Sequence, residues 1–134
     1  MRDNKLDQLV VQLENYLECW KQFNYFLSLG RSKKFSAEDE NQFLELKSVI
    51  VQELELIAAR IELTSPSRED VLNLIGVVPS IRYLSECNEG VLRGVENHWH
   101  RIYVGWQSIV GQLKVKQKEL EGQSRFASFF SRKK

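Results

Sequence analysis

A chain of 134 residues with 43% hydrophobic content is long enough to bury roughly two thirds of its unfolded surface around a single core. Two prolines and seven glycines are too few for a loop-rich β protein, and the hydrophobic content excludes wholesale disorder. Net charge is +1 but uneven: residues 1–64 carry 8 basic and 11 acidic residues, and residues 112–134 carry 7 and 2, so the folded body lacks the broad basic excess of a duplex-binding domain.

The first predicted helix covers residues 3–29. Leu6, Leu13, Trp20 and Leu27 recur at sevens, with Leu9 or Val10, Tyr16 or Leu17, and Phe23 between them, an a/d-type stripe that strand alternation does not fit. Gly30 is expected to stop this helix, and Arg31 to Lys34 to form a polar turn, the bland reading of that basic cluster. The second helix is expected to start at a capping box, Ser36 with Asp39, and to run to Leu63 or Thr64 along Phe43, Leu46, Ile50, Leu54, Ile57 and Ile61. Phe35, just before the cap, is placed to staple against the first turns.

Ser65-Pro66-Ser67 opens a third helical region, with Ser67 and Asp70 as a second capping box. Pro79 interrupts it, and Ile81 to Cys87 resumes it before a turn at Asn88-Glu89-Gly90. The last helix is the longest, over residues 91–121. Leu92, Trp99, Trp106, Leu113 and Leu120 recur at sevens, with Val95, Ile102 and Ile109 interleaved. Gly94 and Gly105 lie about three turns apart on one face, where a close backbone approach would explain both. The expected fold is all-α: an antiparallel up-down bundle of four helical regions over residues 1–121, the third short and interrupted, followed by a tail over 122–134.

Groups for catalysis or metal binding do not assemble in the pattern. His98 and His100 stand two residues apart and point about 200° from each other on a helix, so they cannot chelate one ion. Glu-x-x-His is absent, as are the phosphate-cradling and nucleophile motifs. Glu96 and His100 are expected to form a surface hydrogen bond, and the three tryptophans to anchor the core. Cys19 and Cys87 have no zinc or disulfide spacing and read as reduced thiols. No apolar run of membrane-spanning length and no leader-like segment is visible, so a cytoplasmic location is expected, with no cofactor, no metal and no enzymatic activity.

The chain ends on GQSRFASFFSRKK, which sets Phe126, Phe129 and Phe130 beside Arg125, Arg132, Lys133 and Lys134. Three readings follow. The i, i+3, i+4 spacing puts the phenylalanines on one face of a helical turn that folds back to cap the bundle near Leu6. Alternatively, Gln123-Ser-Arg-Phe126-Ala-Ser-Phe129-Phe130 resembles the peptide with which replication and repair proteins dock on the eukaryotic and archaeal sliding clamp: Gln, two of any residue, an aliphatic residue, two of any residue, two aromatics. The resemblance spans eight residues and departs at Phe126, where Leu, Ile or Met is usual. It implies that Gln123 enters a polar pocket, that Phe126, Phe129 and Phe130 form the plug of a 3₁₀ turn, and that Arg132, Lys133 and Lys134 face an acidic clamp surface. In the third reading these aromatics and cations bind an anionic membrane surface. The functional expectation is a non-enzymatic scaffold, adaptor or assembly protein with a protein partner, with self-association through its long heptad stripes as a further expectation.

Overall fold

The computed structural model describes the backbone of residues 4–132 and the side chains of residues 4–123. It contains five helices and, among the described residues, no strand: α1 (Asn4–Ser32), α2 (Ala37–Ala58), α3 (Arg68–Val77), α4 (Ile81–Ser85) and α5 (Glu89–Arg132). The all-α expectation holds, and the third helical region is the pair α3 and α4, split at Pro79.

The heptad stripes make the core. Leu13, Tyr16, Trp20, Phe23 and Leu27 of α1 pack with Phe43, Ile50, Leu54 and Ile57 of α2, all at most 2% exposed. From α5, Leu92, Val95, Ile102, Trp106 and Val110 complete it. Val110 is buried and Ile109 half-buried, a rotation of the stripe by one residue at that turn. Tyr16 meets Trp106 edge-on at 5.0 Å between ring centroids, the favoured geometry for aromatic quadrupoles. Its hydroxyl donates to the Ile50 carbonyl at 3.0 Å, and burial pushes the phenol well above its usual pKa.

Cross-helix pairs fix the relative directions. Along α1, Asp7, Glu14, Trp20 and Arg31 meet Gln117, Lys114, Trp99 and then Glu96 with Glu89 of α5, so the two helices run in opposite senses. Gln12 with Glu53, Tyr16 with Ile50 and Phe26 with Phe43 give the same order reversal for α1 and α2. The half-buried Trp99 ties two of the helices directly, its Nε1 donating to the Trp20 carbonyl at 2.8 Å.

Both predicted capping boxes are present. Ser36 Oγ accepts from Asp39 N at 3.1 Å and Asp39 Oδ2 from Ser36 N at 2.8 Å; Ser67 and Asp70 repeat the exchange at 3.1 and 3.0 Å. Phe35 is half-buried against the core.

Several expected boundaries move, each for a local reason. Gly30 does not stop α1. It lies inside the helix because α4 crosses there: a Cβ at residue 30 would stand 2.5 Å from Leu84 Cβ. The stop comes three residues later at Lys33, which takes φ 59°, with Lys34 N bonded to Leu29 O and Lys33 N to Gly30 O, the Schellman pattern. α2 ends at Ala58, not near Leu63. Arg60, just past its end, is tied to α1 by its guanidinium, which donates to the Lys5 carbonyl at 2.9 Å and to Gln12 Oε1 at 2.6 Å. Asn88 is a cap and not mid-turn, with Oδ1 accepting from Val91 N at 2.9 Å, so α5 starts at Glu89 and includes Gly90.

Gly94 and Gly105 do not share a role. At Gly105 a Cβ would meet Pro66 Cδ at 2.5 Å, whereas at Gly94 nothing lies within 4 Å. Gly122 does not end α5, which is continuous to Arg132. A glycine costs a helix about 1 kcal/mol, but it terminates one only when it adopts a left-handed conformation, and no described glycine has positive φ.

Candidate functional site

The structure draws attention to the C-terminal half of α5. Among the residues of this helix whose side chains are described, Val110 is the last that is buried, and Leu113, Gln117, Leu120 and Glu121 are half-exposed. Its last described ties to α1 are polar. Lys114 pairs with Glu14 at 2.9 Å, and Gln117 donates to Asp7 Oδ1 at 2.7 Å. Asp7 is in the first turn of α1. The backbone from Gln117 to Arg132 adds about 22 Å of helix. As a straight rod it outruns the first described residue of α1 by about 18 Å.

Of the sequence-predicted site residues, Gln123 is exposed on this projecting stretch. The backbone at Phe126, Phe129, Phe130 and Arg132 is α-helical, and their side chains lie outside the described residues; Lys133 and Lys134 lie outside them altogether. The continuous helix differs from the expected fold-back, which needs a break near Gly122, and from a preformed 3₁₀ plug.

Arg31, in the basic cluster at the other end of α1, is not free. Arg31 Nε and Nη2 grip both carboxylate oxygens of Glu96 at 2.8 and 2.7 Å, and Nη1 reaches Glu89 at 2.7 Å. These contacts raise the guanidinium pKa and hold the Glu89 carboxyl below its usual range. Glu96 is therefore committed to Arg31, and the expected pairing with His100 does not form. Arg31 and Asp7 lie at opposite ends of α1, about 36 Å apart, so this cluster and the end of α5 make no common patch.

Sequence reasoning missed a groove beside α5. Two adjoining cavities of about 810 and 620 Å³ share Ile61 and Leu113. The first lies between α5 and the connector that follows α2, with His100, Arg101 and Val104 along the helix; the second opens toward Lys5, Arg60 and Lys116. A signal existed: the third helical region is far shorter than its neighbours, so it cannot cover α5 along its length. Among the described residues, no cluster of His, Cys, Asp and Glu suits a metal ion, and no helix is long and apolar enough to cross a membrane. Comparison with family models, curated proteins and solved structures gave no match for the chain.

Proposed function

We propose that this chain is a non-enzymatic adaptor or assembly protein, a helical bundle that presents the end of α5 to a protein partner. The observation that supports it is the continuation of α5 to Arg132, well past Val110, the last residue it buries among those whose side chains are described. An isolated helix of this length is marginal in water, and an apolar face on it gains stability only when something covers it. The test is removal of residues 123–134. The reading expects a melting temperature within about 2 °C of the full chain, because a terminal segment that packs on nothing contributes little to stability. A loss of several degrees means that the phenylalanines belong to the core, and the reading fails.

A second reading, docking on a sliding clamp of the eukaryotic or archaeal type, is favoured by the exposure of Gln123, the first residue of the resembling peptide. Docking in that mode would rewind one α-helical turn into a 3₁₀ turn, a local change available near a helix terminus. Calorimetric titration of residues 120–134 against such a clamp should show binding that Phe129→Ala with Phe130→Ala abolishes. Absence of binding at tens of micromolar rules the mode out.

A further inference from the structure

The half of the bundle nearest the start of α1 has three helices and an open place for a fourth. α2 descends to Ala58, where Arg60 reaches Lys5 and Gln12 of α1. The connector, residues 59–67, then leads back as an irregular segment. Pro66 packs on Gly105, and Arg68 at the start of α3 pairs with Glu55 at 2.6 Å. From there α3 and α4 head away, toward Gly30 at the far end of α1. The stretch of α5 from Gly105 to Lys116 therefore lacks the helical cover that α3 gives the turns before it. Its uncovered side is the groove.

The groove has the dimensions and the chemistry of a helix seat. From His100 to Lys116, α5 extends about 24 Å, or between four and five helical turns. Half-buried Ile61, Ile109 and Leu113 line its floor, and Val104 is 45% exposed within it. Its charged rim is Lys5, Arg60, Arg101 and Lys116 against the single carboxylate of Glu62. The Arg60 guanidinium bonds to neutral groups, the Lys5 carbonyl and Gln12 Oε1, and among the described residues it pairs with no carboxylate. Among the described residues Lys5 and Lys116 form no ion pair.

We infer that this groove seats an amphipathic helix of a partner protein, one whose apolar stripe is flanked by aspartates and glutamates. The apolar floor takes anchors at i, i+3 or i+4, and i+7, the spacing at which helices dock in grooves. The cationic rim selects acidic flanks and disfavours basic ones. That charge also disfavours the end of this chain's own α5 as the occupant, since residues 112–134 carry 7 basic and 2 acidic residues. The inference rests on the reading of the chain as an interaction protein but uses a surface separate from residues 123–134.

The probe is a fluorescein-labelled synthetic helix of about 18 residues with leucines at those spacings and glutamates on both flanks, titrated with the full chain by anisotropy. Expected is saturable binding with a micromolar dissociation constant that weakens with salt. Val104→Glu, and separately Lys5→Glu with Lys116→Glu, each weaken it at least ~10-fold, and the same peptide with lysine flanks binds at least ~10-fold more weakly. The lysine pair is exposed and decides the matter if Val104→Glu lowers the melting temperature. Removal of residues 123–134 leaves this binding unchanged, which separates it from the tail. No saturation by ~100 μM, equal binding of both peptides, or indifference to the lysine pair overturns the inference. So does a concentration-dependent dimer of the chain that Val104→Glu abolishes, because the occupant is then a second copy.

Discussion

A Cβ on Gly105 would stand 2.5 Å from Pro66 Cδ and 3.0 Å from Pro66 N. Pro66 is buried and its ring is rigid, so neither side of this contact yields cheaply. Gly105→Ala is expected to lower stability by about 1–2 kcal/mol net, overpacking outweighing the ~1 kcal/mol gain in helix propensity. Gly94→Ala, on the same helix with nothing within 4 Å, should instead gain up to about 1 kcal/mol. Urea unfolding of the two variants checks the sign difference. Two stabilising substitutions would show that the α5–connector contact is loose.

Lys33 occupies the left-handed position that ends α1, at φ 59°. A side chain there is strained by about 1 kcal/mol, and glycine relieves it. Lys33→Gly should stabilise the chain by up to about 0.5 kcal/mol after the greater backbone freedom of the unfolded state is deducted. Lys34→Gly, one residue on, gains nothing by this route and is the control. A stabilisation by Lys34→Gly equal to that of Lys33→Gly would contradict the assignment.

These two sites show what the sequence reveals and what it leaves hidden. Capping boxes at Ser36 and Ser67 were legible because donor, acceptor and spacing all lie within four residues. The core stripes were legible because burial imposes the helical period. Gly30, Gly94, Gly105 and Gly122 look alike in sequence and differ in the structure. One meets Leu84, one meets Pro66 and two meet nothing within 4 Å, and those neighbours lie 39 or more residues away in the chain or are absent. Arg31 was likewise read as part of a solvated turn because its carboxylates, Glu89 and Glu96, arrive from α5. The groove was only half legible: the shortness of the third helical region shows that part of α5 lacks cover, but which part depends on where α3 turns away, which no local pattern records.

The Ser67–Asp70 box gives a pH dependence with a definite sign. The Ser67 N–H bond holds the Asp70 carboxyl below its usual value, with His98 and Arg101 pulling in the same direction. A depressed carboxyl pKa contributes stability that is fully present above the unfolded value, 3.8, and is lost as pH falls through the folded value. Asp70→Asn should therefore unfold at lower urea than the parent chain at pH 7, and the gap should narrow steadily below pH ~4. A gap that stays constant down to pH ~2 would mean that the carboxylate charge contributes nothing to the cap.

Glu40 reaches from the first turn of α2 to the start of α4. Its Oε1 accepts from Ile81 N at 2.7 Å and its Oε2 from Arg82 N at 3.3 Å, while Ser80 Oγ accepts from Tyr83 N at 3.0 Å. α4 has five residues, too few to hold a helix on its own account. Yet it must present Ile81 and Leu84, both at most 1% exposed, to the core and to Gly30. The half-buried carboxylate thus satisfies two otherwise orphaned donors, and charge-assisted bonds of this kind contribute about 1.5–3 kcal/mol each where water is excluded. Allowing for partial exposure, Glu40→Ala should cost about 2 kcal/mol in all. Glu40→Gln should cost about half as much, because it keeps one acceptor oxygen and loses the charge. Glu38→Ala, in the same turn but exposed and bonded to Gln42, should fall within about 0.5 kcal/mol of the parent. Hydrogen exchange at the Ile81 amide provides a local readout that global unfolding does not: it should accelerate in Glu40→Ala before the core amides respond. Equal costs for Glu38→Ala and Glu40→Ala, with Ile81 exchange unchanged, would show that α4 is held by its apolar side chains alone.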